Sequence, residues 1–278
     1  MTDQYIPLPT EGLNVVTYDP NRKHDSCAIV SGGLDSVTLA YDMVQRGYKP
    51  HLLSFNYGQR HKKEIQYAHV AARQFGLRHS IIDLSSLTHL ISNSALTSDH
   101  KHAEGNDIID VPEGHYAEDN MSVTVVPNRN MIMLSIAAGV AVNYGYEAIG
   151  TGVHGGDHFQ YPDCRPEFIY ATNDAIFRGN LGFGKWDDAN KVIFAPYLHS
   201  TKQDIAVRAF ELSVPIHLTW SCYKGDTNHC GRCGTCVERL EAIAGAQQVM
   251  MKRYPGTEGV WVDRSDYDDD EYWKTVVK

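Results

Sequence analysis

Residues 26–45 have the sequence SCAIVSGGLDSVTLAYDMVQ, in which two consecutive glycines separate two largely apolar segments. The segment before the glycines is short and partly β-branched, as expected for a buried strand. The segment after them places Leu39 and Met43 at helical spacing and stops at Gly47. A strand, a tight turn and a helix in direct succession predict an α/β protein with a parallel sheet.

The same alternation continues along the chain and extends the predicted sheet. Further strands are predicted at 51–57, 80–84, 147–153 and 192–196, and further helices at 62–75, 131–143 and 202–212. The expected architecture is a Rossmann-like parallel sheet flanked by helices. We expect a nucleotide-binding α/β domain at 1–214 and a C-terminal zinc-binding and helical region at 215–278.

Three other segments are interpreted from composition alone. The stretch from the predicted strand at 147–153 to residue 188 lacks a clear period and is taken as irregular. The polar stretch 93–121 is predicted to be a lid or a loop that substrate orders, because loops of that length are usually functional or disordered. A helical tail is expected at 237–251, and the acidic stretch 266–271 is expected to be solvated.

Composition limits the possible partners and compartments. The formal net charge is −9, from 34 acidic and 25 basic residues among 278, which argues against nucleic acid as the main partner. No apolar run is expected to reach the roughly 20 residues that span a bilayer, and the N-terminus does not resemble a signal peptide. The sequence therefore predicts a soluble, cytoplasmic protein with no membrane partner.

Gly32 and Gly33, in the segment SGGLDS at 31–36, are suited to binding an anion. They lie between a predicted strand and a predicted helix, so the backbone can approach a phosphate while the helix presents unpaired N–H groups to it. An ordinary glycine turn is the alternative interpretation. No lysine follows in the GxxxxGK[ST] pattern, so this is not the phosphate loop of kinases and GTPases.

Four of the six cysteines are crowded into one short segment. Cys222, Cys230, Cys233 and Cys236 have the spacing C-x7-C-x2-C-x2-C, which is typical of a closed, structural Zn²⁺ site. An iron-sulfur cluster and buried free thiols are the alternatives. His229 is expected to lie beside this site without being a ligand.

The SGGLDS segment resembles the PP-loop of the N-type ATP pyrophosphatases. Together with FNYGQRHKKE at 55–64, VPNRN at 126–130, YPDCRPEFI at 161–169 and TWSCY at 219–223, it resembles the 7-cyano-7-deazaguanine synthase family. The resemblance implies an adenine nucleotide alpha hydrolase-like fold. It also implies the ATP-dependent conversion of 7-carboxy-7-deazaguanine and ammonia to the nitrile for queuosine-type bases, with AMP and pyrophosphate as products, and a homodimer.

The resemblance also implies roles for individual residues. ATP is expected at Ser31, Gly32, Gly33, Leu34, Asp35 and Ser36, with Mg²⁺ held by Asp35, unless that carboxylate only caps the helix. The cations expected to act in catalysis are Arg129, Arg165 and Lys202, drawn from a wider set that includes Arg60, His61 and Lys63. Substrate is expected at Asp163, Glu167 and His154. A surface ion pair for either arginine, and helix capping for Asp163, are the alternatives. Cys164 is expected to be a packed or substrate-lining thiol and not a nucleophile.

Two places depart from the family pattern, Asn128 and the stretch 153–164, which is richer in histidine and glycine than the usual family form, and several rival functions stay open. Asn128 stands where the family usually has glycine, and asparagine tolerates positive φ better than most residues. The rivals are a relative that stops at the amide or uses another deazaguanine acceptor, a tRNA-thiolating enzyme, the synthetase half of an amidotransferase, and a non-catalytic zinc-ribbon module.

Overall fold

The computed structural model describes residues 24–91, 93–97, 109–115, 119–158, 161–181, 183, 191–257 and 259–277. The strands are β1 (Ser26–Ile29), β2 (Pro50–Asn56), β3 (His79–Asp83), β4 (Ala148–Gly150) and β5 (Ile193–Phe194). The helices are α1 (Leu34–Gln45), α2 (Glu64–Gln74), α3 (Arg129–Tyr144), α4 (Pro166–Gly179), α5 (Lys202–Glu211), α6 (Gly234–Arg253) and α7 (Trp273–Val276). Short 3₁₀ turns lie at Ser85–Leu90, Asp119–Thr124, Gly155–His158, Pro162–Cys164 and Ile216–Leu218.

The five strands form one parallel sheet in the order β3-β2-β1-β4-β5. The predicted α/β class is therefore confirmed. The strand order reverses between β1 and β4, and parallel sheets of this kind bind ligands in the crevice at the carboxyl ends of the strands beside that reversal. The glycine segment follows β1 directly, so the topology brings it to this crevice.

Helices cover both faces of the sheet because neighbouring strand residues point in opposite directions. On one face, Ala28 and Leu52 pack with α1, α2, α5 and α6. On the other face, Cys27 and Leu53 pack with α3 and α4. The β1 strand is buried on both sides, which is why its sequence is apolar without alternation.

Helix α4 lies in the stretch that was expected to be irregular, so that prediction was wrong. Its buried side chains are only Ile169, Thr172 and Ile176, a narrow stripe that is hard to recognise in a polar sequence. Pro166 occupies the first turn, where its fixed φ suits a helix. The side chain of Asn173 accepts hydrogen bonds from the N–H groups of Val192 and Ile193, at 2.8 and 3.0 Å, so α4 also anchors β5.

The expectation about apolar runs needs one correction. Met121–Tyr144, 24 residues long, is long and apolar enough to cross a membrane by length and composition alone. The segment contains a 3₁₀ turn followed by α3, and α3 packs Leu134, Ala137 and Ala141 against the sheet. This packing is typical of a core helix that covers a sheet.

The acidic stretch 266–271 keeps its carboxylates largely exposed, as predicted, but its backbone is docked and does not form a free tail. The N–H of His229 donates to the carbonyl of Asp266 at 3.0 Å, and the N–H of Asp268 donates back to His229 at 2.9 Å. Gly231 has a φ of +73°, and a Cβ there would lie 1.5 Å from the carbonyl oxygen of Asp269. The end of the chain is therefore fastened to the cysteine-rich segment by backbone contacts that residue composition does not reveal.

The anchor of this C-terminal segment is Arg239, whose side chain is fully buried. Its guanidinium donates to Asp263 at 3.2 Å, to the Tyr267 hydroxyl at 2.8 Å, to Thr219 at 2.6 Å and to the carbonyl of Ile216 at 2.8 Å. A buried charge is tolerated when it is paired and hydrogen-bonded in this way. The network joins α6 to the chain on both sides of the cysteines.

We expect Arg239→Met to lower the free energy of unfolding by about 3–5 kcal/mol, because it leaves Asp263 as an uncompensated buried charge. Arg178→Met is the matched control, since Arg178 pairs with Asp174 at 2.8 Å but its side chain is 75% exposed. Exposed pairs contribute little, so this control should unfold like the wild type. Chemical denaturation of the three proteins measures both effects, and equal losses in the two variants would contradict the expectation.

Candidate active site

The SGGLDS segment forms a closed loop at the N-terminus of α1. The hydroxyl oxygen of Ser36 accepts hydrogen bonds from the N–H groups of Ser31 and Gly32, each at 3.2 Å. The hydroxyl of Ser31 accepts from the N–H of Gly33, also at 3.2 Å. Within the part of the chain that the structure describes, no side chain caps α1 at Gly33. The first amides of the helix are thus available to an anion.

Gly32 is the tightest point of this phosphate loop. Its φ is +107°, and a Cβ there would lie 1.9 Å from the carbonyl oxygen of Glu64 in α2. Its own carbonyl accepts the N–H of Trp220 at 2.9 Å. Because the loop contacts both α2 and the segment before the cysteines at one residue, only glycine fits there.

A cavity of about 200 Å³ opens above the loop. Its walls come from the loop, the ends of β1, β2 and β4, the starts of α2, α3 and α5, and the first turn of α6. Of the residues predicted to act on ATP or substrate, those that line it are Ser31, Gly33, Leu34, Asp35, Ser36, Arg129 and Lys202. Among the described residues, Gly32, His154, Asp163, Arg165 and Glu167 do not line it.

Asp163 and Asn130 form a cap for helix α3. The Asp163 carboxylate accepts the N–H of Asn130 at 3.0 Å, and the Asn130 amide donates to the carbonyl of Asp163 and to the sulfur of Cys164. This contact matches the capping alternative for Asp163. Cys164 itself is buried and lines the cavity, whereas Glu167 is exposed.

Asp35, Lys202, Glu238 and His154 form a cluster at one side of the cavity. The Lys202 ammonium lies 2.6 Å from Asp35 Oδ2 and 3.4 Å from Glu238 Oε2, and His154 Nε2 lies 3.9 Å from Asp35 Oδ2. Burial opposes ionisation of Asp35, but Lys202 and His154 outweigh it and hold its pKa below the ordinary value. Asp35 Oδ1 is buried and has no hydrogen-bond partner among the described residues.

Arg129 lies across the cavity at the start of α3. Its guanidinium is 3.5 Å from the Tyr57 hydroxyl and lies over the ring of Tyr161, 5.8 Å from the centroid. The preceding residue, Asn128, is the N-cap of α3 and has a φ of +56°. Asparagine therefore adopts the left-handed conformation that glycine usually supplies, and the turn that aims Arg129 is preserved.

Glu64 and His61 also line the cavity; the sequence analysis gave Glu64 no role and named His61 only in the wider set of candidate cations. Burial raises the pKa of Glu64 to about 8, although Gln59 donates to its carboxyl at 3.2 Å. Burial, with the charge of Arg129, lowers the pKa of His61 to about 3, so this ring is neutral and is not one of the expected cations. Both belong to FNYGQRHKKE, but their burial could not be read from that segment.

The four clustered cysteines are buried, and their sulfur atoms all lie within 4.8 Å of one another. The sulfurs of Cys230 and Cys236 are 3.9 Å apart. A tetrahedral zinc site requires sulfur–sulfur distances of roughly 3.8 Å, since Zn–S bonds are about 2.3 Å long. The N–H groups of Cys230, Arg232 and Cys233 donate to cysteine sulfurs at 3.3 to 3.4 Å, which stabilises thiolates. The cluster therefore fits a structural zinc ion.

The cysteine cluster supports one wall of the cavity. Cys233 is the N-cap of α6, and the Thr235 hydroxyl donates to the carbonyl of Ser221 at 2.8 Å. Thr235, Ser221 and Glu238 all line the cavity. A bound ion would thus hold the start of α6 against the segment that contacts Gly32.

The parallel sheet, the glycine loop beside its switch point and the uncapped helix start define a PP-loop nucleotide-binding protein of the doubly wound α/β class. A family model described as queuosine biosynthesis protein QueC matches residues 25–247. The chain belongs to the QueC family. Relatives named 7-cyano-7-deazaguanine synthase, from Brucella ovis and Brucella anthropi, are each 45% identical over 252 residues, covering 90% of this chain and 96% of theirs.

Solved structures with similar folds are much more distant in sequence. NMN synthetase from Francisella tularensis is 12% identical with a TM-score of 0.44, covering 91% of this chain and 84% of that one. NH3-dependent NAD synthetase from Campylobacter jejuni is 11% identical with a TM-score of 0.41, covering 92% of this chain and 85% of that one.

Proposed function

We propose that this protein is a 7-cyano-7-deazaguanine synthase that acts in queuosine biosynthesis. In this reaction, 7-carboxy-7-deazaguanine, ammonia and ATP give the nitrile, AMP and pyrophosphate. The support is membership of the QueC family and the 45% identity to relatives with that name over 90% of the chain. The observation that carries the ATP chemistry is the closed, uncapped phosphate loop at the floor of the cavity.

The reaction needs an activated carboxylate, because ammonia cannot expel oxide from a carboxylate at neutral pH. Attack of the substrate carboxylate on the α-phosphorus of ATP gives an acyl adenylate and releases pyrophosphate. The amides of the phosphate loop would hold the leaving pyrophosphate, while Arg129 and Lys202 would stabilise the charge that develops at the α-phosphorus. A second adenylation, of the amide oxygen, would then remove the last oxygen and form the nitrile.

Asp35 is suited to hold Mg²⁺ during this chemistry. Its Oδ1 is buried and unpartnered among the described residues, and a hard carboxylate oxygen is a preferred magnesium ligand. Magnesium would neutralise part of the phosphate charge when bound. Lys202 occupies the other oxygen of Asp35 and orients the carboxylate.

The decisive test of this proposal is product analysis of the purified protein. Incubated with Mg²⁺, ATP, ammonium and 7-carboxy-7-deazaguanine, the protein should release AMP and pyrophosphate and form a product with the mass of the nitrile. A product that stops at the mass of the amide would identify the related activity instead. Release of ADP would contradict adenylation altogether.

We expect Lys202→Met to lower kcat/KM for ATP on the order of 10²-fold, because the cavity loses the cation paired with Asp35. Lys252→Met is the matched control, since Lys252 is exposed near the end of α6. Steady-state pyrophosphate release measures both variants. Equal activity of Lys202→Met and the control would contradict a catalytic role for Lys202.

Other features of the proposal rest on the sequence and on the family resemblance, not on the geometry of the cavity. They are substrate contacts by Asp163, Glu167 and His154, catalysis by Arg165, a homodimer, a cytoplasmic location and the absence of a nucleic-acid partner. The division into an ATP domain at 1–214 and a C-terminal region at 215–278 is also part of the proposal. Light scattering measures the oligomeric state. The kcat/KM of Arg165→Met, relative to the wild type, measures the contribution of that cation to catalysis.

A further inference from the structure

The cavity contains a polar pocket, formed by Glu64 and His61, that the adenylation chemistry does not use. Their side chains are 10% and 4% exposed, and both line the cavity. His61 Nε2 lies 3.5 Å from Glu64 Oε1. His61 Nδ1 is buried and has no hydrogen-bond partner among the residues that the structure describes. An unpartnered buried nitrogen in a cavity wall costs free energy unless a ligand pairs with it.

The pocket lies beside the phosphate loop. The Glu64 carboxyl is hydrogen-bonded by Gln59 at 3.2 Å and also by Ser31 of the loop. The backbone of Glu64 meets Gly32 directly. The ring of Tyr223 covers His61, with the two centroids 5.0 Å apart. A small guest held here would therefore be close to the acyl adenylate, which forms beside the loop that holds the leaving pyrophosphate.

We propose that Glu64 and His61 bind ammonium and that Glu64 removes its proton, which makes Glu64 a catalytic base for nitrogen transfer. This inference rests on the proposed function, because ammonia is a substrate only in that reaction. A neutral His61 with its proton on Nε2, facing Glu64, presents the Nδ1 lone pair as an acceptor. Two acceptors in a small pocket suit a guest with four N–H donors.

The proton and electron pairs balance in this step. The Glu64 carboxylate takes one proton from ammonium, which leaves neutral ammonia and a carboxylic acid. The nitrogen lone pair attacks the acyl carbon, the bond from that carbon to the AMP oxygen breaks, and AMP leaves with the electron pair. Loss of a second proton from nitrogen to solvent water gives the neutral amide. No oxidant or reductant is required.

The charges around the pocket favour deprotonation of the bound nitrogen. Arg129 is the cation that acts on both Glu64 and His61, and Tyr57 is the other titratable side chain coupled to Glu64. The positive charge of Arg129 disfavours a second cation nearby, so it promotes loss of a proton from ammonium. Burial of Glu64 keeps its basicity near that needed at neutral pH, since a carboxylate of ordinary pKa is too weak a base.

The test compares two nucleophiles in Glu64→Gln, which preserves the shape of the side chain and an oxygen that accepts from Gln59. Hydroxylamine is largely unprotonated at pH 7 and needs no base, whereas ammonia is largely ammonium. We expect Glu64→Gln to lower kcat/KM for ammonia on the order of 10²-fold at pH 7 and to leave hydroxamate formation little changed. Equal losses with both nucleophiles would overturn the proposal.

The pH profile gives a second readout. The wild-type rate per total ammonia should pass through a maximum, because it requires ionised Glu64, whose pKa is about 8, together with ammonium. In Glu64→Gln the rate should instead keep rising until ammonium itself is deprotonated. Identical profiles in the two proteins would contradict a role for Glu64 in removing the proton.

His61→Gln tests the second acceptor independently. The glutamine amide can still donate toward Glu64, but the acceptor at Nδ1 is lost. We expect the KM for ammonia to rise at least about tenfold with a smaller change in kcat, since one hydrogen bond to a charged guest is removed. An unchanged KM for ammonia would contradict ammonium binding at this position.

These results can be separated from failure of the proposed function. Exchange of pyrophosphate into ATP in the presence of 7-carboxy-7-deazaguanine, without ammonia, reports adenylation alone. If the wild type shows no exchange, the proposed function fails. If exchange persists in Glu64→Gln while ammonia transfer is unaffected, only the inference about Glu64 fails.

Discussion

Gly32→Ala should abolish most of the adenylation activity, with pyrophosphate release falling on the order of 10²- to 10³-fold, because the loop amides no longer converge on the phosphates. The φ of +107° disfavours any side chain, and the added Cβ would lie 1.9 Å from the carbonyl oxygen of Glu64. The backbone must move, because the atoms that the added Cβ would meet are backbone atoms of Glu64 and Ala68 and not the end of a flexible side chain. We also expect a loss of about 1–3 kcal/mol in the free energy of unfolding from backbone strain.

Gly139→Ala is the matched control for this substitution. Gly139 is exposed in α3, and an added Cβ meets no atom within 4 Å. Alanine is the better helix former, so this variant should gain about 0.5–1 kcal/mol of stability and keep full activity. Pyrophosphate release and chemical denaturation measure both variants. Activity of Gly32→Ala near that of the control would show that the loop does not hold ATP as described.

Cys233→Ser should remove the bound zinc and destabilise the protein by several kcal/mol, because metal binding at a structural site contributes directly to folding. Serine is a favourable N-cap residue, so the start of α6 loses a ligand and not its cap. Since the cysteine cluster supports Ser221 and Thr235 in the cavity wall, we also expect weaker ATP binding in whatever folded fraction remains.

Cys27→Ala is the control for the cysteine substitution. Cys27 is equally buried, but it lies in β1, and burial raises the pKa of its thiol to about 12, so it is not a thiolate ligand. This variant should keep one zinc ion per chain and lose only the packing of one sulfur. Elemental analysis and thermal unfolding measure the pair. Full zinc content in Cys233→Ser would rule out this ligand set.

Several features of the site could be predicted because their signals are local in sequence. A strand, two glycines and a helix follow one another within 26–45, and the cysteine spacing lies within fifteen residues. Hydrophobic periodicity located the strands and most helices to within a few residues. Helix α4 was missed because only three of its side chains are buried.

Other features depend on contacts between distant segments. Asp35 meets Lys202, separated from it by 167 positions, only after β1 and the loop before α5 reach the same end of the sheet. The Asp163 carboxylate accepts the N–H of Asn130 in α3, a helix that precedes Asp163 in the chain. Nothing in the local composition indicates which partners these two carboxylates find.

The sequence by itself determined the fold class, the glycine loop before α1 and the clustering of the four cysteines, since each depends on spacing between near neighbours. Only the tertiary structure decided the basicity of Glu64, the neutrality of His61 and the docking of the acidic C-terminal segment. The physical reason is that a residue's charge state and partners follow from its burial and surroundings. Those are established by the packing of segments that lie far apart in the chain.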